Sequence, residues 1–174
     1  QTRWVYAFDS FEGMPAPTEK DTSGGLSAEE TGWGTGTCAA TEASVREICN
    51  QLSVANIVQP VKGYFEETLP QMHDRVGMIA FLHMDGDWYE STKAILNNLY
   101  DRLSNHAYVQ VDDYGFWEGC RQAVHEFFIQ RHLEFELNKI DSTGVWFQCG
   151  ENYKINPAIE TSLIQDFRED DPVS

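Results

Sequence analysis

Asp85, Asp112 and Asp113 each follow an apolar run: Gly77 to Met84 leads into Asp85, and Ala107 to Val111 leads into the other two. Runs of that length and character read as buried strands, and a helical stretch separates them. The pattern is a β-α-β unit with carboxylates at the carboxyl ends of two strands, the edge at which open α/β sheets bind ligands. Carboxylates that converge repel one another unless something positive lies among them. A hard divalent cation with oxygen ligands is the natural occupant. If the two strands are parallel neighbours, their ends lie ~5 Å apart, so side chains of that length can share one ion at ~2.0–2.6 Å. The competing reading is that aspartates there cap the helices that follow. That reading is preferred for Asp87. It does not account for a coordinated set, so the metal is preferred for Asp85, Asp112 and Asp113.

Other groups gather at the same rim. Asp9 ends the first strand, where an acidic residue accepts hydrogen bonds from ribose hydroxyls in nucleotide-binding folds; a plain turn residue before Ser10-Phe11-Glu12-Gly13 fits equally well. His83 falls two residues before Asp85 and so points to the same side; a packed histidine is preferred over a base. His73, His106, His125 and His132 read as surface. Trp88, Tyr89, Tyr114, Phe116 and Trp117 could stack on an adenine or a sugar, but core packing is the commoner role.

The elements that must position these groups can be read in order. Trp4 to Phe8 is a strand. Residues 13–37 are rich in Gly, Pro, Ser and Thr and form a long loop; such loops in a compact domain are lids or are disordered. Thr41 is placed to cap a helix carrying Val45, Ile48, Cys49 and Leu52 on one face. Ile57 to Val61 is a short strand, and Leu69-Pro70 ends the next short element. A helix is expected from about Tyr89 to Leu103 and another from Gly119 to Arg131. Phe135 to Ile140 and Gly144 to Phe147 suggest a closing antiparallel pair. The tail from about Glu151 to Ser174 is polar and acidic. Alternating strands and helices with a terminal pair imply a doubly wound, mostly parallel sheet. No linker or repeat is visible, so residues 1–174 read as a single domain.

The 174 residues carry 12 Lys+Arg against 28 Asp+Glu, a net charge of −16. So acidic a surface repels phosphate backbones and anionic membranes. No apolar run reaches transmembrane length. Cys38, Cys49, Cys120 and Cys149 show no zinc or Cys-x-x-Cys spacing, which fits a reducing cytoplasm.

At these residues the chain resembles the macrocin-type O-methyltransferases, which methylate sugar hydroxyls in macrolide and aminocoumarin pathways. The matching stretches are Asp9-Ser10-Phe11-Glu12-Gly13-Met14-Pro15, Lys62-Gly63-Tyr64-Phe65-Glu66-Glu67-Thr68-Leu69-Pro70, His83 through Thr92, Asp112-Asp113-Tyr114-Gly115 with Gly119 to Val124, and, more weakly, Ile140 to Trp146. The resemblance implies a Rossmann-like class I methyltransferase fold with S-adenosylmethionine as methyl donor. It implies a donor site at Asp9, Ser10, Gly63 and Tyr64, and a magnesium ion held by Asp85, Asp112 and Asp113. Asp85 is then the base that takes the proton of a sugar hydroxyl on a small-molecule acceptor. Family members carry a first strand and a glycine loop ahead of the strand at 3–8. The chain is therefore expected to lack that strand at its N-terminus, and to bind the donor weakly by itself. The strand at 3–8 is expected either to pair directly with the one at 77–84 or to leave a space filled by another chain, with self-association possible. Two alternatives remain: an Asp-x-Asp glycosyltransferase using Asp85 and Asp87 to hold a metal–diphosphate, and a non-catalytic fragment of the same fold.

Overall fold

The computed structural model describes residues 3–150. The acidic tail read from about Glu151 lies outside the described residues. In chain order the elements are β1 (Val5–Asp9), β2 (Thr22–Ser23), β3 (Leu26–Ser27), α1 (Ala28–Thr31), α2 (Glu42–Gln51), β4 (Val58–Lys62), α3 (Phe65–Val76), β5 (Ile79–Met84), α4 (Tyr89–Leu99), a 3-10 turn (Tyr100–Arg102), β6 (Leu103–Val111), α5 (Glu118–Gln130), β7 (Asn138–Lys139) and β8 (Val145–Gln148). None of the helices is long and apolar enough to cross a membrane among the described residues.

The strands form two separate ladders and a small hairpin. β1 pairs with β4 in parallel, bringing Asp9 opposite Lys62. β5 pairs with β6 in parallel, from Ile79 opposite Leu103 to Met84 opposite Val111. β8 adds antiparallel to β6, and β7 antiparallel to β8, so the second sheet runs β5-β6-β8-β7. The architecture is α/β with mixed sheets, two parallel pairs and the expected closing antiparallel pair; among the described residues helices cover one face of the larger sheet, so that sheet is not doubly wound. Of the two expected outcomes, direct pairing of the first strand with β5 does not occur: among the described residues no backbone ladder joins β1 to β5. Contact between the halves runs through side chains and α3 instead. The Tyr6 hydroxyl donates to the carbonyl of Arg75, 3.3 Å away.

Period-two alternation fixes the inner face of the larger sheet. Leu82, Met84, Val109, Val111, Val145 and Phe147 are buried, and α4 and α5 cover them with Ile95, Leu96, Leu99, Val124, Phe127 and Phe128. The opposite face is open. Phe81 is 60% exposed and Tyr108 46%, with the Tyr108 and Trp146 rings 5.6 Å apart. The α2 stripe follows suit: Cys49 is buried, while Ile48 and Leu52 face solvent.

The first closing strand, expected over Phe135 to Ile140, shrinks to Asn138–Lys139, and three further boundaries differ from expectation for local reasons. α3 continues through Pro70 to Val76, because tertiary packing of Leu69 in the core outweighs the interior proline's lost N–H bond. The helix after Asp85 ends at Leu99, and β6 begins at Leu103, where Ser104 donates to the Ile79 carbonyl at 3.0 Å. Residues 13–37 are not a bare loop. They contain the β2–β3 hairpin and α1, whose cap Ser27 and Glu30 form a reciprocal capping box, with Met14, Asp21 and Ala28 buried.

Candidate carboxylate centre and the adjoining rim

The Asp85 loop is short and sharply turned. Gly86 has room for no more than a light side chain, since a Cβ there would meet Ile95 Cδ1 at 3.2 Å and Ser91 Cβ at 3.3 Å. Asp87 then takes a left-handed backbone conformation, φ 53°, a region that aspartate tolerates better than most residues. This turn aims Asp87 back at the end of β6. Its N–H donates to Asp113 Oδ2 at 3.2 Å, and its Oδ1 accepts from Trp117 Nε1 at 3.2 Å.

Ligand oxygens of Asp85, Asp87 and Asp113 lie within 4.8 Å of one another. Oxygens bound to a common magnesium or calcium at ~2.0–2.6 Å are separated by up to ~4–5 Å, so the spacing fits one such ion. Electrostatics points the same way. Burial, then Asp87 and Asp85, push the Asp113 carboxyl up to about 7. Burial, then Asp85, push Asp87 up to about 6. Asp85, the most exposed of the three, is raised by partial burial and then by Asp112. The cluster is short of positive charge, and a divalent cation would supply it.

The set differs by one member from the sequence expectation. Asp87 is no helix cap: the N-cap of α4 is Trp88, with no side-chain cap bond. Local propensity favoured the cap, whereas the left-handed turn, invisible to helical periodicity, carries the side chain inward. Asp112 continues the β5 ladder, its N–H donating to the Met84 carbonyl at 2.9 Å. Its Oδ1 faces His83 Nε2 at 3.5 Å and Gln110 Nε2 at 3.4 Å. It lies beside Asp85, close enough to raise it, but outside the mutual set of three. His83 is thus a partner of Asp112 at the rim. Cys38, not singled out by sequence, sits near enough for Asp87, Asp85 and Asp113 to raise its thiol after burial does.

Asp9 ends β1, and its Oδ1 accepts from the Phe11 N–H at 2.6 Å. Gly63 follows β4, its N–H bound to the Asp9 carbonyl at 3.0 Å. Its φ is 140°, and a Cβ there would stand 2.7 Å from Thr68 Cγ2, so only glycine leaves this backbone open to close approach. The Tyr64 hydroxyl donates to Glu12 Oε2 at 3.3 Å. Ser10 Oγ donates to the Gly13 carbonyl and accepts from the Glu12 N–H, both at 3.1 Å. Asp9 is near enough to add, as the smallest contribution, to the raised state of Asp85.

Of the rim aromatics, Trp88, Tyr89, Tyr114 and Trp117 are buried and Phe116 is exposed. His125, read as surface, is partly buried, with the Tyr114 hydroxyl 2.6 Å from its Nε2. Burial, then Arg121, lower it to about 4.

Residues 1–149 match the family model described as macrocin-O-methyltransferase. The chain is 34% identical over 146 residues to demethyldecarbamoylnovobiocin O-methyltransferase of Streptomyces niveus, covering 84% of this chain and 55% of that protein. It is 38% identical over 91 residues, 52% of this chain and 34% of that one, to the 8-demethyl-8-(2,3-dimethoxy-alpha-L-rhamnosyl)-tetracenomycin-C 4'-O-methyltransferase of Streptomyces olivaceus. Among solved structures it matches the O-methyltransferase NovP with a TM-score of 0.74 and 33% identity, over 86% of this chain and 61% of that chain. The chain therefore spans a little over half the length of the relatives it matches along most of its own residues.

Proposed function

The chain belongs to the macrocin-O-methyltransferase family, and on that premise we propose that it methylates a hydroxyl on the sugar of a glycosylated small molecule, using S-adenosylmethionine and a divalent metal ion. The Asp85–Asp87–Asp113 cluster carries this reading. The sugar comes from the rhamnosyl group in the name of one relative.

In this reading Asp85, Asp87 and Asp113 hold the ion, with Asp112 bracing the site from its place beside Asp85. A magnesium ion held there would lower the pKa of a nearby hydroxyl and help to fix its oxygen. Asp85 is the base. It is the most open of the three to an incoming acceptor, and none of its oxygens is committed to an indole as Asp87 Oδ1 is. Asp9 meets the donor's ribose with the oxygen left free by the Phe11 N–H. Gly63, Ser10 and Tyr64 shape the adenosine side. The chain works in the cytoplasm, in keeping with four free cysteines.

The test is transfer of an isotopically labelled methyl group from S-adenosylmethionine to a panel of glycosylated acceptors, with magnesium or with chelator. Transfer should require the ion. Asp85→Asn should lower kcat by ~10²–10⁴, the range for removing a general base, and Asp9→Ala should raise the KM for the donor more than that for the acceptor. Transfer that survives both chelation and Asp113→Asn would overturn the metal assignment. The glycosyltransferase reading gains from Asp85 and Asp87 lying together, but leaves Asp113 without a role; manganese-dependent binding of a nucleotide sugar, with none of S-adenosylmethionine, would favour it.

A further inference from the structure

Asp21 is a carboxylate with 0% exposure, placed well away from the centre in sequence. An enclosed charge is costly unless it is fully bonded. Its Oδ2 accepts from the Thr18 N–H at 2.7 Å and from Thr18 Oγ1 at 2.8 Å; its Oδ1 accepts from the Tyr89 N–H at 2.7 Å. Tyr89 is the first residue of α4, whose own N-cap offers no side chain. Asp21 therefore caps α4 from 68 residues away. It also lies against the first turn of α5, where a Cβ on Gly119 would fall 2.3 Å from Oδ1. Two helix N-termini thus face one anion, an arrangement their dipoles favour.

The same contacts lead to the carboxylate centre. Trp88 donates from Nε1 to the Pro15 carbonyl at 2.9 Å. Its ring meets that of Trp117 edge-on at 4.7 Å. Trp117 donates from Nε1 to Asp87 Oδ1. Asp87 is held in its left-handed turn two residues before the N–H that Asp21 grips.

We propose that Asp21 is a positioning residue for the carboxylate centre. It fastens residues 15–22 across the starts of α4 and α5, and through Trp88 and Trp117 sets where Asp87 stands relative to Asp85 and Asp113. The segment is then a fixed strap whose seating is coupled to the ion site. This rests on the metal reading above, and the test separates the two.

The decisive measurement is manganese affinity of the full chain, by titration with paramagnetic detection, in a double-mutant cycle of Asp21→Asn and Asp87→Asn. The asparagine keeps the shape of Asp21 but turns one of its acceptor oxygens into a donor amide. Loss of such an outer partner should weaken ion binding ~10-fold, and the loss should vanish in the Asp87→Asn background, because coupled residues are not additive. Thr41→Ala, which removes only the α2 cap, controls for general destabilisation and should leave affinity unchanged. Equal affinity of Asp21→Asn and the parent, or a full further loss on top of Asp87→Asn, overturns the proposal. If the parent binds no manganese, the metal reading fails. The Trp88 and Trp117 indole N–H resonances then decide: the proposal requires that both shift in Asp21→Asn and not in Thr41→Ala, and unshifted signals overturn it.

Discussion

Removing the Asp113 carboxylate should act in opposite directions on ion binding and on the stability of the ion-free protein. On the proposed metal reading Asp113→Asn takes a charged ligand from a small hard ion, so magnesium affinity should fall at least ~10-fold by calorimetric titration. It also removes a repelling charge, so in chelator at pH 8 the variant should melt above the parent. The pH dependence follows from the same groups. Asp113 at about 7 and Asp87 at about 6 both lie above the unfolded value of ~3.9. Between these limits the folded state holds more protons than the unfolded one, so their stabilising contribution, full below ~4, is lost as pH rises through about 6 and about 7. His125, lowered to about 4, works the other way: its contribution is full above ~6.5 and is lost as pH falls toward about 4. The two oppose each other below ~6.5; between pH ~6.5 and ~7.5 the carboxylates dominate, and toward pH 8 the thiols of Cys38, Cys120 and Cys149, all raised by burial, add to the same fall. Melting temperatures in chelator should fall across that window, flatten in Asp113→Asn, and recover when magnesium is added. A flat parent profile would show that the cluster does not carry the raised protonation described.

Gly119 shows how far an element's neighbours can overrule its own preference. Alanine normally improves a helix interior over glycine by ~1 kcal/mol. In the first turn of α5 a Cβ would also fall 3.0 Å from the Lys20 carbonyl, besides its clash with Asp21. Gly119→Ala should therefore lower stability, by ~1–3 kcal/mol as for other overpacked sites, and loosen the strap to proteolysis between residues 15 and 26. Denaturant melts and limited digestion would check it; a variant stabilised like an ordinary exposed-helix alanine would contradict it. The same locality explains what could be read in advance. β5, β6, α4 and α5 were legible because their apolar residues recur at periods of two and 3.6 within one segment, and the carboxylates follow from where those strands end. The seating of residues 13–37 was not legible, because Asp21, Trp88 and Trp117 meet only through the tertiary fold. Asp87 was misread as a cap for the same reason: its partners, Asp113 and Trp117, lie 26 and 30 residues away. Strand position alone leaves Asp9 even between a ribose contact and a turn residue, and its bond to the Phe11 N–H is of the turn kind.

At the scale of the whole molecule, among the described residues, helices cover one side of the larger sheet while the other presents Phe81, Tyr108 and Trp146. Parallel sheets of this kind are ordinarily buried on both faces, and an apolar patch of this sort marks an association surface. The chain should self-associate with rising concentration despite its charge of −16, and should bind an apolar dye. Phe81→Lys should reduce both in sedimentation and fluorescence measurements without disturbing α4 and α5, which lie across the sheet. A chain that stays monomeric and dye-free at high concentration would count against the patch as a contact surface. The separation of the two ladders has a further consequence. With no shared strand hydrogen bonds, the β1–β4 pair is tied to the rest through contacts such as Tyr6 to Arg75 and the packing of α3 on α4. Side-chain contacts of that kind transmit cooperativity less completely than a continuous ladder, so the protein should open in two steps. Amide hydrogens of β1 and β4 should exchange with solvent deuterium at a lower free energy than those of β5 and β6. The rim bearing Asp9 would then come and go while the carboxylate centre stays assembled, so on the proposed function any ligand held at that rim would meet a site that is only intermittently formed.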